Sequence, residues 1–249
     1  KQNPADVKLQ IMEHGAVGIM YYHNSYNISY GPNGDDCNYY DTAVSGGGHA
    51  VMVVGWDDNY SKDNFLWNKP ANDGAWLVRN SWGADTDYFW MSYETFSLSD
   101  TAWVFDFSAD DGFDNNYQLD GGLDATANQQ YTTMANVFTA KTDAEVKSET
   151  LKAVSVSFTH NASVNYTIEV YTNLTDVKNP TSGTKQESAT TQGTTAYAGI
   201  YTIELADEVE IQPGSSFAIV VSVDKYALEY EQAMKIATGD NLETMVWDC

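Results

Sequence analysis

Cysteine is nearly missing from this chain of 249 residues, which holds two, Cys37 and Cys249. One sits in a CNYY stretch and one in a VWDC terminus, so neither a disulfide framework nor a cysteine-rich zinc site is available. They are left to pair with each other or, for Cys37, with a segment outside this sequence. Basic residues are scarce as well: 12 Lys plus Arg stand against 35 Asp plus Glu, a net charge of −23. A surface of that sign repels phosphate backbones and anionic headgroups, so no nucleic-acid partner is expected. It favours solubility, cations and a salty or extracellular setting, without naming a substrate. No run of eighteen apolar residues occurs, so no membrane span is expected. The opening KQNPADVKLQIMEHG lacks an apolar h-region and does not read as a signal peptide. There is no internal repeat and no long low-complexity tract.

Apolar residues are plentiful. They make up 43% of the chain, with 17 Tyr and 7 Trp, enough for a sizeable core in one large or two ordinary domains. Residues 4–14 read as a helix, with Asn3 as cap, Pro4 in the first turn and Gly15 as terminator. GAVGIMYY, from Gly15, reads as a strand, and residues 23–48 as loop ending in a triple glycine. HAVMVVGW and AWLVRNSW read as buried strands joined by a polar excursion over 57–74. DYFWMSYETF reads as a third.

The character changes near residue 106, where DFSADDGFDNNYQLDGGLDATANQQ reads as an acidic, turn-rich linker. Beyond it come NVFTA, LKAVSVSF, VNYTIEVYT, YTIEL, SFAIVVSV and ALEYEQAMKI, short segments separated by Thr, Ser, Asn and Gly. Val154, Val156 and Phe158 share one face, as do Val164, Tyr166, Ile168 and Val170. That pattern predicts an all-β antiparallel sandwich.

The chemistry-bearing stretches are GGGHAVMVVGWDD, from Gly46, and AWLVRNSWG, from Ala75. Each sets one polar group, His49 or Asn80, into a short apolar strand. Imidazole titrates near neutrality and is the usual general base, and a base needs a partner that holds its tautomer and orientation. An asparagine carbonyl accepts a ring N–H without adding charge. Trp82 can roof the bond against water, and the triple glycine permits close backbone approach.

Two motifs in this order resemble the papain family of cysteine peptidases. They are Gly48-His-Ala-Val-Met-Val-Val-Gly-Trp56 and Trp76-Leu-Val-Arg-Asn-Ser-Trp-Gly83, preceded by Gly15-Ala-Val-Gly and followed by Tyr88-Phe-Trp-Met-Ser-Tyr. The resemblance covers residues 1–105 and implies the β-rich half of an α+β papain-like peptidase domain. It implies that His49 is the catalytic base, Asn80 its orienting partner and Trp82 the shield, acting on a protein or peptide substrate through a thioester acyl-enzyme. The sequence departs from the family at Asp87, where a Gly usually precedes the aromatic strand, and at Ala84-Asp-Thr-Asp, where a second Trp-Gly usually follows. Both departures put subsite preference in doubt.

The family's nucleophile lies in Gln-x-x-x-x-x-Cys-[Trp/Phe/Tyr] at the start of a long helix, and that motif does not occur here. Neither Cys37 nor Cys249 has the helix start or neighbouring Gln that would activate a thiolate. The expectation is no nucleophile in this chain. An N-terminal peptidase segment would then be held as a second chain after processing, or be missing by truncation. A degenerate enzyme is the third account.

Residues 106–249 resemble the lectin-like β-sandwich appended to certain secreted prokaryotic peptidases, which implies an extracellular or cell-surface setting and a carbohydrate or surface ligand. Asp106, Asp110, Asp111, Asp114 and Asp120 are oxygen donors of the kind calcium takes, but their spacing is not that of an EF-hand, and a solvated linker is the plainer reading. No metal and no cofactor are expected. His14, His23 and His160 read as ordinary residues, and the sequons at Asn27, Asn161, Asn165 and Asn173 as chance. The rival function is a non-catalytic binding or adhesion protein with a pseudo-peptidase portion.

Overall fold

The structure, a computed structural model, describes residues 3–31, 37–83, 87–106, 112–119, 124–127, 130–142, 148–159, 163–232, 235–238 and 241–244. The side chains of 124–127, 231–232, 235–238 and 241–244 are excepted. The chain divides into two compact units, residues 1–112 and 113–249.

The first unit opens on helix α1, Pro4–His14. Asn3 accepts from the Ala5 N–H at 3.2 Å, and Gly15, in the left-handed region at φ 80°, donates its N–H to Ile11 O. Caps of this kind satisfy backbone groups that a helix end leaves unpaired. Among the described residues seven strands follow: β1 Val17–His23, β2 Ile28–Tyr30, β3 Cys37–Tyr39, β4 Gly47–Asp57, β5 Ala75–Arg79, β6 Tyr88–Ser92 and β7 Ala102–Trp103. They form one sheet in the order β2-β3-β6-β5-β4-β1-β7. Its pairs are antiparallel except β3 with β6. Within the 23–48 segment, expected as loop, the described residues therefore include β2 and β3. Each is three residues long, too short to show a period of two.

One face of the sheet carries Val17, Ile19, Val51, Val53, Val78 and Met91, and α1 packs on it through Val7 and Ile11. A bulge in β4 shifts the register between Val53 and Gly55. The extra residue brings Val53 and Trp56 to the same face, opposite Val78 and Trp76. The polar 57–74 excursion is anchored by Tyr60 and Phe65, which form a separate buried cluster with Ala75. Tyr60 stacks on Trp90 at 4.4 Å and donates its hydroxyl to Asn38 at 2.6 Å.

In the second unit the strands are β8 Asp124–Ala127, β9 Thr133–Thr139, β10 Glu149–Phe158, β11 Val164–Thr172, β12 Thr184–Lys185, β13 Thr191–Thr195, β14 Gly199–Ile211, β15 Ser216–Val223, β16 Glu229–Gln232, β17 Lys235–Thr238 and β18 Asn241–Thr244. All their pairings are antiparallel. One sheet runs β12-β11-β15-β9 with β13 also on β11, and β10 pairs with β14 separately. Both layers point into a single core: Val156, Phe158, Val209 and Ile211 from β10 and β14 meet Val164, Ile168, Val170 and Phe217 from β11 and β15. This is a β-sandwich. The two faces expected from alternation, Val154-Val156-Phe158 and Val164-Tyr166-Ile168-Val170, both line that core. Strand β8 falls inside the stretch expected as linker.

Candidate active site

His49 lies on β4 directly opposite Tyr21 of β1. Asn80 follows the last residue of β5, whose Arg79 pairs with Met52. Continuing that register by one residue sets Asn80 beside Val51 and diagonal to His49 on the same face, within reach of a side-chain bond. The bond is made: His49 Nε2 and Asn80 Oδ1 are 2.9 Å apart. Asn80 is 8% exposed, and its Oδ1 also accepts the Ser81 N–H at 2.9 Å. A backbone N–H can only donate, so that second bond fixes which end of the amide faces His49. The imidazole proton must then sit on Nε2, leaving Nδ1 with a free lone pair. Asn80 also donates its backbone N–H to the Asp87 carbonyl at 2.7 Å, tying the turn after β5 to the head of β6.

Trp82 lies flat over His49, with ring centroids 4.6 Å apart and planes 19° from parallel. It is 51% exposed, so it covers the imidazole on one side and faces solvent on the other. The structure thus brings His49, Asn80 and Trp82 together.

It also brings in a residue the sequence did not single out. His23, expected to be isolated, has its ring 5.9 Å from His49 and 4.6 Å from Trp82, perpendicular to the indole. Its Nδ1 is 2.8 Å from the Tyr21 hydroxyl, and its ring stacks on Tyr39 at 5.6 Å. The signal was the alternation of Tyr21 and His23 on one side of β1, but only the β1–β4 register shows which residues that side meets. Behind it, Tyr39 donates to the Tyr22 carbonyl at 2.8 Å and to Asp41 at 3.1 Å. Asp41 is buried, and it accepts the Ser97 N–H at 2.9 Å and the Ser97 hydroxyl. A buried carboxylate needs donors of this kind.

Burial, and then the charge of His49, holds the His23 imidazole below its ordinary range. Burial, followed by Tyr39, Cys37 and Asp41, pushes the Tyr21 phenol well above its own. Tyr39 is pushed up to about 12, by burial first and also by Asp41, against hydrogen bonds that lower it.

Beside the His23 ring is a small recess of ≈ 30 Å³ lined by Tyr21, His23, Cys37, Asn80, Trp82 and Phe89 among others. Its walls are largely aromatic. Among the described residues Cys37 has no disulfide partner; it lies on β3, not at a helix start, and burial raises its pKa. Both features oppose thiolate formation. Cys249 lies outside the described residues. Among the described residues no group of three or more His, Cys, Asp or Glu is placed to hold a metal ion. Asp106 and Asp114 join no such group, and Asp110, Asp111, Asp120 and His160 lie outside the described residues. No helix among the described residues is long and apolar enough to cross a membrane.

A family model described as lectin like domain matches residues 117–246. Among solved structures, the chain is similar to a clostridial cysteine protease, Cwp84, after propeptide cleavage. The identity is 29% and the TM-score 0.69, over 93% of this chain and 57% of that one. It is also similar in fold to the cysteine protease and lectin-like domains of Cwp84, a surface-layer-associated protein of Clostridium difficile. There the identity is 24% and the TM-score 0.62, over 97% of this chain and 57% of that one. This sequence therefore spans little more than half of either solved chain. No curated protein matches.

Proposed function

The chain belongs to the lectin-like domain family through residues 117–246, and from that premise we propose that residues 1–105 are the base-bearing portion of a papain-like cysteine peptidase, followed by the lectin-like sandwich over 106–249. The observation that carries this reading is the His49–Asn80 bond, in which the Ser81 N–H pins the amide and leaves His49 Nδ1 as a base. A lone histidine in a strand has no need of a buried amide whose carbonyl is fixed toward it. The likeness to a clostridial cysteine protease at 29% identity supports the same class.

In this proposal the nucleophilic cysteine comes from peptidase residues outside the 249 of this sequence. His49 Nδ1 takes the thiol proton. The thiolate adds to the peptide carbonyl carbon, the C–N bond breaks, and the imidazolium returns that proton to the leaving amine. A water, deprotonated by the same nitrogen, then attacks the thioester and frees the thiol. Asn80 holds the ring so that Nδ1 faces the reacting atoms, and Trp82 keeps water from the His49–Asn80 bond. An extracellular or cell-surface site of action fits the surface-layer association of the similar protease and the net charge of −23. A carbohydrate or surface ligand is proposed for the sandwich on family grounds alone.

The test is peptide hydrolysis by the complete protease, with and without His49→Ala, alongside labelling by a thiol-reactive epoxide. Loss of turnover on the order of a hundred-fold or more, with the label on a cysteine outside this sequence, is the expected result. Label on Cys37, or full activity without the imidazole, sinks the assignment.

A further inference from the structure

We propose that His23 is a positioning residue of this site: a neutral imidazole, its tautomer locked by Tyr21, that holds Trp82 flat against His49. The inference rests on His49 being the base proposed above. Trp82 is half in solvent and touches two imidazoles, lying parallel to His49 and perpendicular to His23, each with ring centroids 4.6 Å away. A stacked pair alone leaves an indole free to slide or lift. A second ring set at a right angle to it removes that freedom.

The ring that does the holding is itself held. Tyr21 is buried at 1% exposure, and among the described residues its hydroxyl has a single hydrogen-bond partner, His23 Nδ1. A buried phenol that keeps its proton must donate it, so Nδ1 must offer a lone pair and the His23 hydrogen must sit on Nε2. Nε2 points toward Ser25 Oγ, at 3.4 Å. Protonating His23 would put a second N–H against the phenol, strand the Tyr21 proton, and set a positive ring 5.9 Å from His49. The geometry therefore favours the neutral form, and burial acts in the same direction. Among the described residues the titratable groups around His23 are Tyr21 on its own strand, His49 on β4, Tyr30 on β2, and Cys37 and Tyr39 on β3, with Asp41 bonded behind Tyr39. Among these Asp41 is the one carboxylate, and it is engaged by Tyr39 and Ser97 and forms no bond with His23.

The experiment is nitrogen-detected NMR of the imidazoles in the full chain, native and as Tyr21→Phe, His23→Phe and His23→Ala. It is paired with kcat and KM of the complete protease carrying the same changes. In the native protein His23 shows one neutral tautomer with hydrogen on Nε2, and the His49 carbon protons carry a ring-current shift from Trp82. Tyr21→Phe mixes the tautomers. His23→Ala removes the ring-current shift and lowers kcat about ten-fold or more, with KM little changed. His23→Phe, which keeps a ring against the indole, restores the ring-current shift and part of kcat. A native His23 with its hydrogen on Nδ1 overturns the proposal, as does an unchanged Trp82 shift on His49 in His23→Phe and His23→Ala alike. The NMR readouts need no turnover. Full activity of the His49→Ala protease, with these shifts present in the native protein, therefore defeats the peptidase reading and leaves the positioning of Trp82 standing.

Discussion

The carbonyl oxygen of His23 occupies the space where a side chain on Gly46 would begin: a Cβ built there lies 1.9 Å from it. Gly46 also has φ +92°, which L side chains rarely adopt. Of the three glycines before His49 it is the one whose lack of a side chain is required. A Cβ on Gly47 meets nothing within 4 Å, and one on Gly48 meets only the Met20 sulfur at 4.0 Å. The end of β1 and the approach to β4 thus touch backbone to backbone, where both imidazoles originate.

Gly46→Ala is expected to destabilise the protein by about 2 kcal/mol or more, from the clash together with the left-handed backbone. Gly47→Ala should stay within about 0.5 kcal/mol. Chemical denaturation of both variants checks this, and equal losses would contradict it.

Asn80→Ala leaves the Ser81 N–H and the His49 Nε2–H without their acceptor. In the complete protease kcat/KM should fall roughly ten- to a hundred-fold as the ring loses its fixed orientation. The circular dichroism spectrum should be unchanged. Steady-state kinetics at neutral pH decide it.

Trp82→Ala uncovers the face of His49. The His49–Asn80 bond then competes with water, and kcat should drop by about ten-fold. Trp82→Phe, which keeps a ring over the imidazole, should recover part of the loss. No difference between the two variants would mean that the indole does not act by covering.

Acid should destabilise the first unit through His23. Its pKa is lower folded than unfolded, by burial and then by His49. Above the unfolded value, near 6.5, both states are neutral and the group contributes nothing. As pH falls below that value the unfolded chain takes up a proton first, so stability declines until pH passes the folded value and is flat beyond it. Thermal unfolding of the native protein and His23→Phe between about pH 8 and 5 should show a fall that the variant reduces. Asp58 and Asp63 have lowered folded pKa values through bonds to Lys8 and Lys69 respectively, so their contribution is lost in a separate window, below the ordinary carboxylate range.

Ile168 of β11 is fully buried between the two layers of the sandwich. Ile168→Ala removes three carbons from a site with little room to collapse and should cost about 2–5 kcal/mol. Urea denaturation of the full chain, followed by the tyrosine signal of the second unit, measures it. A loss under about 1 kcal/mol would show that the layers close over the gap.

The sequence alone carried whatever is written within a few residues. Asn3, Pro4 and Gly15 set the ends of α1, because capping is a contact between near neighbours. Alternation set the inward faces of β10 and β11, because a strand's side chains change sides at every residue. His49, Asn80 and Trp82 stood out as a pattern. Their meeting at 2.9 Å and 4.6 Å was decided by the tertiary structure. So were the place of His23 beside Trp82, β2 and β3 inside the 23–48 segment, and the opening of Cys37 onto the same recess as Asn80. These depend on which strand lies beside which and in what register. That is settled by burial across the whole sheet, and a slip of one residue would turn each side chain of the strand to the other face.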